Sequence, residues 1–145
     1  MSPDERAEPA AHPSGSTFGV TESELPRPAY THLRRLTNET GLWEHARILT
    51  PRVEHGFCTD DNARGLLVVS RSTSTPSELE DLAAIYLSFV LDARSGTGQF
   101  HNRRHADGDW TDEVGSDDSQ GRAWWGLGAV ARSGSALWMR EAAFD

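Results

Sequence analysis

His55-Gly-Phe-Cys-Thr-Asp-Asp-Asn-Ala-Arg64 is the stretch in which a loop gives way to a predicted helix. Thr59 stands directly before an Asp pair, and Arg64 follows within about one helical turn. Hydroxyl and carboxylate side chains accept hydrogen bonds from the unpaired amides of a helix's first turn, where the helix dipole also favours negative charge. One Asp is enough for that role. Because neighbouring carboxylates repel each other, the second Asp and the Arg indicate a candidate site.

A second stretch, Gly115-Ser-Asp-Asp-Ser-Gln-Gly-Arg122, has the same order of a hydroxyl residue, an Asp pair and an Arg. The two acidic helix starts are about 57 residues apart, with another predicted helix between them. This internal repeat predicts units of inner helix, connection, outer helix and loop, which bury a continuous core only when they stack. We therefore expect an all-α fold of stacked αα-hairpins, with both acidic helix starts lining a common cavity.

Apolar periodicity predicts four main helices, and Gly, Pro and Ser/Thr segments separate them. An Asp-Gly turn flanked by aromatic residues predicts one small β-hairpin. Residues 42–57 surround Pro51 and are expected to form an extended connection with room for a short strand. The predicted helices cover residues 28–37, 60–71, 78–94 and 118–132, a further helix can start near 135, and the hairpin covers 98–112.

The composition describes one ordinary domain preceded by a tail. Residues 1–26 are rich in Pro, Gly and acidic residues and are predicted to be disordered, which leaves 27–145 as the domain. A formal net charge of −8 argues against nucleic-acid binding, which needs a concentrated basic patch. No apolar run approaches the roughly 20 residues that span a bilayer, so no membrane partner is expected. Cys58 is the single cysteine, and a cytoplasmic location is the resulting prediction.

Several segments in a fixed order resemble an α/α-toroid domain of the six-hairpin glycosidase-like superfamily, which occurs in bacterial glycosyltransferase-associated and glycan-active proteins. The resemblance covers residues 30–144. The segments that carry it are His32-Leu-Arg-Arg-Leu-Thr37, Thr40-Gly-Leu-Trp-Glu-His-Ala46, the stretch from His55 to Arg64, Phe100-His-Asn102 and Gly115-Ser-Asp-Asp-Ser-Gln-Gly-Arg-Ala123.

This resemblance implies a fold, a partner and an activity. The fold would be part of an α/α toroid of about two hairpin repeats, a fragment that further repeats, self-association or a partner chain would complete. The partner would be an oligosaccharide or another glycan. The activity would be glycan binding or glycosidic-bond chemistry, and an accessory module without catalysis or an inactive remnant are the alternatives. No cofactor is implied.

Cleavage of a glycosidic bond needs one carboxylic acid to protonate the leaving oxygen and a second carboxylate to attack carbon or activate water. We assign these catalytic roles to Asp61 and Asp118, one from each repeat, with Glu113 as an alternative acid. Helix capping and ordinary ion pairs are the structural alternatives for these groups. His101 and His105 lie on a predicted hairpin, where a four-residue spacing does not converge on a metal, so no metal site is predicted. The predicted substrate-binding residues are His55, Asp60, Arg64, His101, Asn102, Trp110, Asp117 and Arg122.

Overall fold

The computed structural model describes residues 28–72 and 76–145, so the predicted disordered tail at 1–26 lies outside the described residues. Within these ranges the chain forms five α-helices and two antiparallel two-stranded sheets. Strands β1 and β2 form one sheet, and β3 and β4 form the other. The helices are α1 (Thr31–Arg35), α2 (Thr59–Ser70), α3 (Pro76–Asp92), α4 (Asp117–Ser133) and α5 (Leu137–Phe144), and the strands are β1 (Ala46–Arg47), β2 (Thr50–Pro51), β3 (Phe57–Cys58) and β4 (Arg103–Arg104).

The all-α prediction, with αα-hairpins stacked into part of an α/α toroid, is wrong, because the chain combines helices with two small sheets. The connection between α1 and α2 contains Pro51, and Ile48 and Gly56 have φ angles of 57° and 69°. The interior of a helix disfavours Pro, and right-handed helical backbone excludes these positive φ angles. The backbone amides of this connection therefore find partners across strands, with Ala46 opposite Pro51 and Phe57 opposite Arg104.

Residues 98–112, for which the sequence predicts a β-hairpin, also join the second sheet. Strand β4 pairs with β3, which directly precedes α2, and a bridge between Arg104 and Trp110 closes the segment on itself. The turn contains Gly108, whose φ of 111° suits a residue without a side chain. This arrangement holds residues 101–104 beside the start of α2.

The core lies between α2, α3 and α4, and α5 packs on α4. Asp60 of α2 contacts Arg122 of α4, and one turn further along both helices Ala63 lies against Gly126. The two helices therefore run in the same direction and begin at the same end of the molecule. Tyr86 of α3 packs on Gly65 of α2. No helix in the described part of the chain is long and apolar enough to cross a membrane. The largest fully buried side chains include Tyr86, Phe57, Phe89, Phe100, Leu66, Leu87 and Met139.

Candidate functional site

An ion-pair network joins the two acidic helix starts. Arg122 of α4 places its Nε atom 2.7 Å from Oδ1 of Asp60 and 2.9 Å from Oδ2 of Asp118. Arg64 of α2 donates from Nη2 to Asp60 at 2.7 Å and from Nη1 to Asp61 at 2.9 Å. Five of the residues predicted for the site are therefore brought together. Three carboxylates face two guanidinium groups, which leaves an excess of one negative charge.

Asp60 is the carboxylate at the centre of this network. Burial raises its pKa, the positive charges of Arg64 and Arg122 offset part of that effect, and the carboxylates of Asp61 and Asp118 add to it. The single Nε–H of Arg122 donates to Asp118, so the buried Oδ1 of Asp60 has a cation beside it but no hydrogen-bond donor among the described residues. The hydrogen bond to Asp118 raises the pKa of Arg122.

The start of α2 is held by the segment that precedes β4. The backbone N–H of Asp60 donates to Oδ1 of Asn102 at 3.1 Å, and the N–H of Thr59 donates to the Asn102 carbonyl at 2.8 Å. Thr59 donates its hydroxyl proton to the carbonyl of His101. An Asn side chain distant in sequence thus satisfies an amide that a local cap would otherwise serve. His101 and Asn102, predicted to bind substrate, position the helix that carries the acids.

Asp112 in turn holds this capping segment. Its carboxylate accepts hydrogen bonds from the N–H groups of Asn102 and Arg103, both at 2.7 Å. Its carbonyl lies 2.7 Å from Nδ1 of His101. The ring of His101 also stacks on Trp110 at 5.4 Å between centroids. Trp110, predicted to bind substrate, packs edge-on against Phe89 as well and is therefore engaged in packing.

The remaining predicted residues lie apart or face solvent. His55 stacks on His45 at 4.7 Å between ring centroids. Glu113 and Asp117 are exposed, and their side chains make no hydrogen bond or ion pair with any described residue. The side chain of Asp118 is 66% exposed although it is paired with Arg122. The catalytic assignment of Asp61, Asp118 and Glu113 stays a prediction.

A groove of about 470 Å³ opens between α1 and α2, and one acidic residue of the network is among the residues that line it. Asp61 lines it together with Trp43 and Glu44, which lie in the connection before β1. The indole of Trp43 stacks on the buried ring of Phe57 at 4.1 Å between centroids. The other lining side chains are mostly apolar and comprise Ala29, Tyr30, His32, Leu33, Leu36, Leu42 and Val68. Mostly apolar walls with a few convergent polar groups are typical of small-molecule sites.

Glu44 is the functional candidate that the sequence reasoning missed. Its side chain is only 7% exposed, and Nη1 of Arg103 donates to both of its oxygens at 2.6 Å. These hydrogen bonds raise the pKa of Arg103. The available signal was an acidic residue directly after the apolar pair Leu42-Trp43, since a carboxylate at such a position must be paired if it is buried.

Asp61 connects the groove to the network. Its Oδ1 accepts a hydrogen bond from Arg64, and its Oδ2 accepts one from the thiol of Cys58 at 3.2 Å. Burial, followed by the negative charge of Asp61, raises the pKa of Cys58, so the thiol stays protonated and serves as a donor. Asp61 is still 25% exposed. A carboxylate has about four acceptor positions, so capacity remains for a ligand.

In residues 28–72 and 76–145, no group of three His, Cys, Asp or Glu side chains is placed to hold a metal ion. No family model matches the chain, and no curated protein matches its sequence. The resemblance to glycan-active proteins therefore stays a prediction.

Proposed function

We propose that the chain binds a carbohydrate in the groove between α1 and α2. The observation that carries this proposal is the combination, in one groove, of the Trp43 ring with the carboxylates of Glu44 and Asp61. A sugar ring presents C–H groups on its faces and hydroxyl groups around its rim. An indole offers an apolar surface to the C–H groups, and carboxylate oxygens accept hydrogen bonds from the hydroxyl groups.

Three of the five segments that resemble glycan-active proteins contribute to this groove. The segment 32–37 supplies His32 and Leu36, the segment 40–46 supplies Trp43 and Glu44, and the segment 55–64 supplies Asp61. The first two segments are neighbours in sequence, with two residues between them, and the third lies nine residues further along; all three meet on one surface. The convergence supports a shared role in ligand binding, and the proposal concerns this surface alone.

Binding is favoured over bond cleavage by the way the carboxylates are held. Cleavage needs one carboxyl group that carries a proton and another across the scissile bond. Both oxygens of Glu44 accept hydrogen bonds from Arg103, and Asp61 accepts hydrogen bonds from Arg64 and Cys58. These two side chains are thus arranged as acceptors, which suits recognition of hydroxyl groups.

The test is titration of the purified chain with neutral oligosaccharides of glucose, mannose, galactose and N-acetylglucosamine, followed by NMR and calorimetry. At least one sugar class should bind, Trp43→Ala should abolish binding, and Trp43→Phe should retain it. Trp138→Ala, which removes a half-exposed indole on α5, is the matched control and should bind normally. Cooperative thermal unfolding of each variant separates lost binding from lost folding.

Two outcomes would refute the proposal. One is the absence of binding by every sugar class up to about 10 mM, a concentration at which even very weak sites fill. The other is unchanged binding by a folded Trp43→Ala chain. Release of new reducing ends during the titration would instead show cleavage, and it would support the catalytic prediction for Asp61.

A further inference from the structure

We propose that the carbohydrate bound in this groove carries free amino groups, an inference that rests on the proposed function. Two ionisable acids, Glu44 and Asp61, line the groove, and among the described residues that line it His32 is basic and none is Arg. A protonated amine on a sugar would meet acceptors of opposite charge there. Hydrogen bonds between charged partners are roughly twice as strong as those between neutral ones.

The two arginines paired with these carboxylates are already committed, and the imidazole of His45 lies 3.8 Å from Oε1 of Glu44. Both oxygens of Glu44 hold Arg103, while Arg64 divides its guanidinium between Asp60 and Asp61. An anionic sugar entering the groove would therefore need to displace an existing ion pair before it gained a cation of its own. Leaving a buried carboxylate unpaired is costly, so we expect anionic sugars to be rejected.

Asp61 is the acceptor that remains available for the amine. It is 25% exposed, against 7% for Glu44, and its contacts with Arg64 and Cys58 use about half of its acceptor positions. Trp43 adds a second attraction, because the face of an indole attracts a cation. The ring stacks on Phe57, and Trp43 is also one of the residues that line the groove.

The experiment compares three oligosaccharides of equal length on the full chain: a glucosamine oligomer, its N-acetylated form and an oligouronate. It is run at a pH at which the sugar amine is protonated. We expect the amine form to bind roughly three- to tenfold more tightly than the acetylated form, and the oligouronate not to bind. The preference should shrink as salt is added, because an exposed charge pair is screened.

Two variants with opposite expected effects sharpen the test. Asp61→Asn should remove the preference for the amine while the acetylated form still binds. Arg64→Gln should increase the preference, since it removes the cation that competes for the Asp61 carboxylate. Asp107→Asn, on the exposed turn after β4, is the control for a general change in net charge and should preserve the preference.

The failures are distinguishable. If none of these three sugars binds while another neutral sugar class does, the amine inference is overturned and carbohydrate binding stands. If no sugar class binds at all, the proposed function fails. If the acetylated form binds as tightly as the amine form, or the oligouronate binds best, the amine inference is overturned while carbohydrate binding stands. A preference that Asp107→Asn reduces as much as Asp61→Asn would reflect the overall charge of the chain, and it would also overturn the assignment to this groove.

Discussion

At the scale of single residues, Tyr86 should make the stability of the fold depend on alkaline pH. Its side chain is fully buried, its hydroxyl lies 2.7 Å from Oγ1 of Thr37, and burial raises its pKa to about 12. The folded chain therefore keeps the proton while the unfolded chain releases it near pH 10. The contribution of protonated Tyr86 to the free energy of unfolding is fully present below pH 10. It falls by about 2 to 3 kcal/mol as the pH rises from 10 to 12.

The measurement is the free energy of unfolding in urea between pH 8 and pH 12, for the natural chain and for Tyr86→Phe. The substituted chain should be less stable by about 1 kcal/mol at pH 8, because it lacks the hydrogen bond to Thr37. The difference should shrink or change sign near pH 12. If the free energies of unfolding of the two chains change in parallel between pH 8 and pH 12, the role given to Tyr86 is contradicted.

Some residues of the site were readable from sequence because their signal is local. The order of hydroxyl, acids and Arg placed Asp60, Asp61 and Arg64 at one helix start, and their contacts span only three or four residues. Glu44 was not readable in this way. Its partner Arg103 is 59 residues away. The pairing of β3 with β4, together with the bridge between Trp43 and Phe57, brings the two side chains together.

At the scale of elements, the contact between α2 and α4 should depend on the absence of a side chain at Gly126. A Cβ atom at this position would lie 3.0 Å from the carbonyl oxygen of Ala63. Gly126→Val should therefore push the two helices apart and destabilise the fold by about 1 to 3 kcal/mol, as overpacking does. Thermal or urea unfolding measures this loss.

Gly128, on the same helix, is the matched control because no atom lies within 4 Å of the position its Cβ would take. Gly128→Val should stabilise the fold slightly, by about 0.3 kcal/mol, because valine has a somewhat higher helix propensity than glycine. Equal effects at Gly126 and Gly128 would mean that α2 and α4 do not approach each other as closely as this contact requires.

The elements also show where sequence patterns succeed and where they fail. The predicted helix 60–71 is Thr59–Ser70 in the structure, and the predicted 78–94 is Pro76–Asp92, because helical periodicity is repeated over several turns. The strands have only two residues each. Such short strands carry no alternating pattern, and their partners are set by folding of the whole chain. The sequence therefore predicts a hairpin at 98–112 from its turn residues, but it does not predict the pairing of β1 with β2 or of β3 with β4.

At the scale of the whole molecule, the net charge opposes the association between copies of the chain that its exposed apolar surface favours. The chain carries a formal charge of −8, and α5 exposes Leu137, Trp138 and Phe144 to 62%, 50% and 85%. Repulsion between copies acts over about 30 Å in 0.01 M salt but over only about 3 Å in 1 M salt. Exposed apolar surface favours association once that repulsion is screened. The balance between these two terms should therefore be set by ionic strength.

We accordingly expect a monomer in 0.01 M salt and a larger weight-average mass in 1 M salt, measured by light scattering at constant protein concentration. Trp138→Gln should keep the chain monomeric in 1 M salt, because it removes a large part of the apolar surface on α5. Val114→Gln, which replaces an exposed apolar residue before α4, is the control and should associate like the natural chain. A mass that falls as salt is added would instead mean that attraction between charges holds the copies together, and the exposed face of α5 would then have no part in association.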